Sequence, residues 1–225
     1  MSNTMKSSKR KPKRKMKEIK HCEVCGEQDL ELVLDLGEHP LCDDLVAVSE
    51  SRICREYPIK ILHCANCQTC HQAYQVPKRV LFPPNYHYRA RHTADVLKGM
   101  TSLVKNAAKH VNLEGALVLD IGCNDGSLLS IFKAEGAKTV GIDPTDACQD
   151  AKNAGHVAYQ DYFDINIARQ LVEQHGTPDV VTFTNVFAHI EDLDGLLKAL
   201  DYLLGSHTIL IIENHYLGSI LAGNQ

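Results

Sequence analysis

The sequence predicts an α/β protein with a parallel, Rossmann-like sheet, preceded by a small β-rich metal-binding module. Three observations support this prediction. Apolar, strand-like runs alternate with helical spacing from residue 92 onward, the run at 116–121 leads into a glycine-containing turn, and two C-x-x-C pairs lie near the start of the chain. Alternating strands and helices favour βαβ units in a parallel sheet. Paired cysteines at this spacing are typical of zinc sites.

Composition and patterning divide the chain into four segments: a basic tail (1–20), a zinc-binding module (21–75), a linker (76–91) and an α/β domain (92–225). The tail holds nine of the 24 Lys and Arg residues and one of the 28 acids, so the rest of the chain is acidic. Such a surface disfavours nucleic-acid binding by the folded part. The run 6–17 lacks periodicity and is predicted to be disordered; it either contacts an anionic partner or is simply solvated.

The overall composition indicates a folded protein of a reducing compartment. With 225 residues, 44% of them hydrophobic, the chain can form one large or two small domains. No apolar run approaches ~18 residues, so no membrane-spanning helix is expected, and the N-terminus is too polar for a secretory signal. The nine cysteines are an odd number and occur largely in C-x-x-C pairs. This pattern favours metal binding over disulfides and predicts a cytoplasmic protein without a membrane partner.

The metal-binding module contains two cysteine knuckles separated by 38 residues. Four thiolates would complete a closed, structural Zn²⁺ site, and the predicted ligands are Cys22, Cys25, Cys64 and Cys67. Between the knuckles, 30–36 and 57–62 have strand patterns, and 37–40 is predicted to be a turn that interrupts them. Other side chains near the knuckles could replace a ligand, with Cys70 the first substitute: His21, Cys42, Cys54, His63, Cys70 and His71. The lone cysteines among them could equally be ordinary buried thiols.

The α/β domain begins with a predicted helix at 92–111, which has apolar residues along one face. Strands are then predicted at 116–121, 138–143, 156–159, 179–184 and 208–213. The intervening helices are predicted at 126–135, 146–154, 164–175 and 192–204. Since the chain ends soon after the fifth strand, we expect an incomplete sheet, either a fragment or a chain completed by a partner.

The loop after the first strand of this domain predicts a nucleoside site. It has the pattern D-x-G-x-x-x-G, with Asn124 where a dinucleotide-binding loop has its middle glycine. This suits a nucleoside without a pyrophosphate, such as S-adenosylmethionine. Gly122 would allow close approach of the ligand, and Asp120 and Asp125 would attract its cationic groups. Asp143, twenty-one residues after Gly122, would accept the ribose hydroxyls. Alternatively, the glycines serve only tight turns.

The predicted cofactor-binding residues lie at the ends of three strands: Asp120, Gly122, Cys123, Asn124, Asp125, Gly126, Asp143, Pro144, Asn185 and Val186. The segment after the fourth strand also carries His189, which could act as a base, hold a substrate, or only bond at a helix start. The Asn/Asp-Pro-Pro-aromatic signature of enzymes that methylate nucleic-acid bases is absent at this position.

Several motifs together resemble the sugar C-methyltransferase family: the two zinc knuckles, Tyr86-x-Tyr88, VLDIGCNDGSLL, VGIDP, NVFAHI and IIENHYLG. The resemblance implies S-adenosylmethionine-dependent methylation of a carbon beside the keto group of a nucleotide-linked deoxysugar. It also implies catalytic or substrate-side roles for Tyr86, Tyr88 and His189. Two departures stand out. The family's Tyr-x-Glu-His segment does not occur in this chain, and Arg89-Ala90-Arg91 replaces the usual serines after the second tyrosine.

Two alternatives to carbon methylation remain open. The first is an O- or N-methyltransferase that acts on another small metabolite. The second is a non-catalytic scaffold, in which the zinc module and the basic tail bind RNA or protein.

Overall fold

The computed structural model describes residues 16–223. It divides the chain into two compact units, and the basic run predicted at 6–17 lies almost entirely outside the described residues. The first unit contains residues up to Leu41 and Val46–Leu81, and the second contains Cys42–Leu45 and the chain from Phe82 onward. A short piece of the N-terminal sequence therefore belongs to the second unit.

The first unit is built from short antiparallel strands. β1 (Lys17–Glu18) pairs with β5 (Tyr74–Gln75), and a second sheet has the order β2 (Glu31–Pro40), β3 (Glu56–His63), β4 (Cys70–Gln72). The short helix α1 (Lys78–Leu81) follows. The prediction of a turn at 37–40 was wrong, because β2 continues to Pro40 and absorbs the extra residues in a register shift between Asp35 and Glu38. Such a bulge keeps the strand paired where the sequence pattern indicates a break.

The second unit is a five-stranded parallel sheet with helices on both faces. The order is β10 (Ile209–Glu213), β9 (Val180–Thr184), β6 (Leu117–Ile121), β7 (Lys138–Ile142), β8 (Val157–Tyr159). The helices are α2 (Ala94–Ala107), α3 (Ser127–Ala134), α4 (Ala147–Asn153), α5 (Ile165–His175), α6 (Leu193–Leu203) and α7 (Leu217–Gly223). Short 3₁₀ helices lie at Ala90–His92 and Phe187–His189. The predicted α/β fold class is confirmed, and the helix predicted at 92–111 is shorter at both ends.

Two apolar layers enclose this sheet. On one face, Leu119 and Phe183 pack in a cluster with α5 and α6. On the other face, Val118 packs with Val104 of α2 and Phe132 of α3. Neighbouring residues of β6 thus enter opposite layers, as the two-residue period of a strand requires. Both faces of the central strands are covered, which explains their nearly continuous apolar sequence. Among the described residues β10 pairs only with β9, and Ile212 on it is 43% exposed.

His156 is a buried histidine held between two hydroxyl groups. Its Nδ1 lies 2.8 Å from Thr139 Oγ1, and its Nε2 lies 2.9 Å from Ser130 Oγ. Ser130 Oγ also donates to the Gly126 carbonyl, so that hydroxyl accepts a hydrogen bond from the Nε2–H group of His156. Burial, and to a lesser extent Lys133, lowers the pKa of His156 below its ordinary value of 6.5.

We expect this histidine to make the fold sensitive to acid. Because its pKa is lowered in the folded state, the stabilisation is complete above about pH 6.5 and is lost as the pH falls towards the folded-state pKa. Urea unfolding at neutral and mildly acidic pH should show a smaller pH dependence for His156→Gln than for the wild-type chain. An equal pH dependence in both proteins would contradict the assignment.

Candidate active site and metal centre

The loop between β6 and α3 forms a tight backbone cradle. Its residues Gly122, Asn124 and Gly126 have φ angles of +81°, +49° and +78°. The amides of Gly122 and Cys123 both donate to the Ile142 carbonyl, at 2.7 and 2.9 Å, which ties the cradle to the end of β7. A Cβ on Gly122 would lie 2.3 Å from a methyl carbon of Val186. Glycine is therefore required here by a protein neighbour, which itself belongs to the predicted cofactor-binding set.

Asp143 lies directly beside this cradle. Its Oδ2 accepts the Asn124 amide at 2.9 Å, and its Oδ1 accepts the amide and the hydroxyl of Thr145, at 2.8 and 2.5 Å. The residue is 6% exposed, and burial raises its pKa although these hydrogen bonds act in the opposite direction. A carboxylate has about four acceptor positions, and three are used. For the Asp143 carboxylate to accept hydrogen bonds from both hydroxyls of a ribose, the Thr145 hydroxyl would have to rotate away from Oδ1.

Asp120 is a second buried acid at the same sheet edge. It is 3% exposed, and its Oδ1 accepts the Thr182 hydroxyl at 2.6 Å. Burial raises its pKa to about 7, and the nearby charge of Asp143 contributes to the increase. No ion pair between residues 16 and 223 involves Asp120. A cationic ligand would relieve the repulsion between these two carboxylates, so the pair fits a ligand that carries a sulfonium and an ammonium.

One polar atom near this edge has no partner in the described chain. The hydroxyl oxygen of Thr184, at the end of β9, is buried and makes no hydrogen bond. Thr182 and Thr184 lie on the same face of their strand, and Thr182 pairs across the sheet with Asp120. A buried hydroxyl without a partner is unfavourable unless a ligand supplies one.

The other predicted cofactor residues have roles within the protein. Asp125 Oδ1 accepts the amide and hydroxyl of Ser127, at the start of α3, and its Oδ2 accepts the Arg91 amide at 3.0 Å. Cys123 is buried beside Leu129 and Cys148, and burial raises its pKa. Pro144 is partly buried, and Asn185 has φ +55° with its amide donating to the Glu213 carbonyl. Direct ligand contacts by these residues remain predictions.

Two of the side chains predicted to face the acceptor, Tyr86 and His189, lie beside Phe82. The ring of Phe82 lies 5.7 Å from that of Tyr86 and 5.3 Å from that of His189, both edge to face. His189 is an exposed residue, yet the surrounding protein partly desolvates its imidazole and the nearby His215 adds positive charge. Both effects lower its pKa. The imidazole is consequently neutral at physiological pH and able to accept a proton.

Tyr86 has a protein partner that sequence reasoning missed. Its hydroxyl lies near Asp43, and burial followed by the charge of this carboxylate raises the pKa of Tyr86 far above the usual value. Asp43 Oδ1 also lies 3.2 Å from His87 Nε2. Tyr86 therefore stays protonated beside Asp43, whereas Tyr88 is 38% exposed. No local pattern connects residues 43 positions apart, so the sequence offered no signal for this contact.

The four predicted zinc ligands come together in the first unit. All four sulfur atoms lie within 4.8 Å of one another, with Cys22 Sγ 3.4 Å from Cys67 Sγ and Cys25 Sγ 3.6 Å from Cys64 Sγ. A tetrahedral Zn²⁺ with bonds of about 2.3 Å would place sulfurs about 3.8 Å apart, so the set fits that ion. His71 Nε2 lies 3.1 Å from Cys22 Sγ, as a neighbour of the cluster. Cys70, the predicted substitute, is exposed and outside it.

Comparison with known families agrees with this organisation. A family model described as "Methyltransferase domain" matches residues 88–219, which is more than half of the chain. The chain belongs to this methyltransferase family. A second model, described as "Putative zinc binding domain", matches residues 22–82 and includes all four clustered cysteines. The predicted zinc module and methyltransferase domain thus correspond to two known sequence families.

Individual relatives of this methyltransferase-family chain are distant. It is 27% identical to the C-methyltransferase NovU of Streptomyces niveus over 92% of its own length and 50% of the relative. It is 39% identical to a ubiquinone biosynthesis O-methyltransferase of Rhizobium rhizogenes over 38% of its length and 35% of the relative. Among solved structures, the PH0226 protein of Pyrococcus horikoshii OT3 is 20% identical, with a TM-score of 0.49, over 64% of this chain and 68% of that one. The chain thus spans about half the length of NovU.

The helices of the described residues are all too short or too polar to cross a membrane.

Proposed function

We propose that this chain forms the zinc-binding and cofactor-binding part of an S-adenosylmethionine-dependent methyltransferase that methylates a carbon of a nucleotide-linked keto-deoxysugar. The observation that carries the proposal is the pair of buried carboxylates, Asp120 and Asp143, at the glycine-containing cradle of a methyltransferase-family domain. The relative named C-methyltransferase, aligned over 92% of this chain, supports carbon as the atom methylated.

Each predicted residue then has a defined task. S-adenosylmethionine supplies an electrophilic methyl group when bound. Asp143 accepts a ribose hydroxyl, and Asp120 balances positive charge on the ligand, as the environments of both carboxylates favour. Gly122 lets Val186 close over the cradle.

Proton transfer is assigned to His189. A carbon beside a ketone becomes nucleophilic only after it loses a proton, and a neutral imidazole is a suitable acceptor. Tyr88, which is exposed, is assigned as the hydroxyl donor for the resulting oxyanion, because Tyr86 is partly buried and lies beside the Asp43 carboxylate. Positioning of the acceptor carbon against the methyl group supplies most of the remaining rate acceleration.

Methylation of an oxygen atom is the second candidate. The match to ubiquinone biosynthesis O-methyltransferases favours it, although that match covers a smaller part of the chain. A heteroatom acceptor would need His189 only to remove a hydroxyl proton, so the site itself permits both reactions.

Two measurements test the proposal. Calorimetric titration of the chain with S-adenosylhomocysteine should show one site, and a folded chain that does not bind it would contradict the proposal. Methyl transfer from ¹³C-labelled S-adenosylmethionine to a keto-deoxysugar nucleotide, catalysed by the protein expressed from its full gene, should give a product whose labelled methyl group couples to a ring carbon in NMR spectra. A label attached to oxygen would instead support the second candidate.

A further inference from the structure

The segment 86–91, here called the strap, is bonded directly to the cofactor cradle. Asn124 Nδ2 donates to the Tyr88 carbonyl at 3.1 Å, and Asn124 Oδ1 accepts the Ala90 amide at 3.0 Å. Next along the chain, the Arg91 amide donates to Asp125 Oδ2 at 3.0 Å. The side chains of two consecutive cradle residues, Asn124 and Asp125, therefore accept hydrogen bonds from two consecutive backbone amides of the strap.

Asn124 is fully engaged by these contacts and by Asp143. Its backbone amide donates to the Asp143 carboxylate, while both ends of its side-chain amide hold the strap. Its φ of +49° lies in the left-handed region, a conformation that asparagine adopts more readily than most residues. The asparagine found where a dinucleotide loop has glycine thus serves as a link between Asp143 and the strap.

The strap is also fixed at its other side. Arg89 Nε lies 2.6 Å from Asp150 Oδ2 on α4, and Arg89 Nη1 donates to the Tyr86 and Tyr88 carbonyls at 2.7 and 2.9 Å. The strap therefore curves around the Arg89 guanidinium. Tyr88 itself is exposed. Among the described residues, the hydrogen bonds of Asn124 connect the strap to the amide that binds Asp143, and the Arg89 guanidinium also acts on the Asp143 carboxyl through its charge.

We propose that Asn124 is a positioning residue that couples occupation of the cofactor site to the order of the strap and so to the placement of Tyr88. The inference rests on the proposed function, because it takes Asp143 as a contact of the bound nucleoside. A ligand that holds the Asp143 carboxylate also holds the Asn124 amide, and the side chain of Asn124 transmits that restraint to Ala90 and Tyr88. By linkage, an acceptor that orders the strap increases the affinity of the cofactor site by the same factor.

Amide hydrogen exchange of Ala90 measures this coupling, since that amide donates to Asn124 itself. In the wild-type chain, saturating S-adenosylhomocysteine should slow exchange at Ala90 by about tenfold or more. In Asn124→Gly, which keeps a left-handed backbone without strain, the ligand should slow it less than about twofold. The affinity for S-adenosylhomocysteine should fall by no more than the coupling factor measured at Ala90.

Two controls make the result specific. Exchange at Arg91, which bonds to Asp125, should stay slow in Asn124→Gly and shows that the variant is folded. Asn112→Gly, at an exposed asparagine whose side chain accepts the Glu114 amide and lies outside the cradle and the strap, should behave as wild type. Binding of the ligand without slower exchange at Ala90, or slower exchange that persists in Asn124→Gly, would overturn the coupling but leave the proposed function intact. Failure of the wild-type chain to bind the ligand would overturn both.

Discussion

Replacing Asp143 by alanine is expected to reduce the affinity for S-adenosylhomocysteine by about 100-fold. A hydrogen bond to a charged group contributes about 1.5–3 kcal/mol, and tenfold in affinity corresponds to about 1.4 kcal/mol. The substitution removes such a bond to the ligand and also the acceptor of the Asn124 amide, which helps to hold the cradle in shape. Isothermal titration calorimetry of the two proteins measures the change directly.

Thr145→Val is the matched control for this substitution. It removes the hydroxyl that occupies Asp143 Oδ1 but leaves the carboxylate in place, and valine has nearly the shape of threonine. The affinity should then be equal to or higher than that of the wild-type chain, because an acceptor position on Asp143 becomes free. An affinity of Asp143→Ala equal to that of the wild-type chain would contradict the assignment of Asp143 as a contact of the nucleoside.

Replacing Cys64 by serine is expected to remove the zinc and unfold the first unit. Cys64 is fully buried, and its sulfur lies 3.6 Å from that of Cys25. Within the described part of this unit, few hydrophobic side chains are buried, namely Ile19, Cys22, Tyr57, Cys64 and Ala73. With so small a core, folding depends on metal binding, which contributes about 10–16 kcal/mol at structural zinc sites. Elemental analysis should give one zinc per wild-type chain and almost none in the variant.

Cys70→Ser distinguishes loss of a ligand from loss of any cysteine. Cys70 is exposed and lies outside the cluster of four sulfurs, so this variant should retain one zinc and resist trypsin across residues 20–80. Cys64→Ser should be cleaved rapidly in the same region. A full zinc content in Cys64→Ser would mean that another side chain completes the site.

The parts of this protein that could be predicted are those governed by local periodicity. The predicted strands and helices of the second unit lie within a few residues of their predicted bounds. Buried parallel strands are continuous apolar runs, and an acidic residue such as Asp143 or Glu213 indicates where the strand ends. The four cysteines of the metal cluster could likewise be predicted from the spacing of the two C-x-x-C pairs. The full length of β2 could not be predicted, because Gly37 and Pro40 are typical of a turn and only the pairing with β3 shows that the strand continues.

Side-chain partners were beyond sequence reasoning. Asn124 could be recognised as an unusual residue in its loop, but its bonds to Tyr88 and Ala90 depend on how the preceding segment crosses the cradle. The ligand contact predicted for Asp125 stays a prediction, and its bonds to Ser127 and Arg91 were not foreseen, although a short acid beside a helix start readily accepts hydrogen bonds from nearby amides. Three-dimensional proximity, rather than residue type, decides such roles.

The assignment of Cys42–Leu45 to the second unit limits how evolution can rearrange this gene. A recombination event that exchanged the N-terminal half as a cassette, with its junction near residue 82, would import a foreign loop in place of Asp43. The Tyr86 hydroxyl and the His87 imidazole would then lose the carboxylate that both contact. Viable chimeras must therefore inherit residues 42–45 and 86–87 from the same parent.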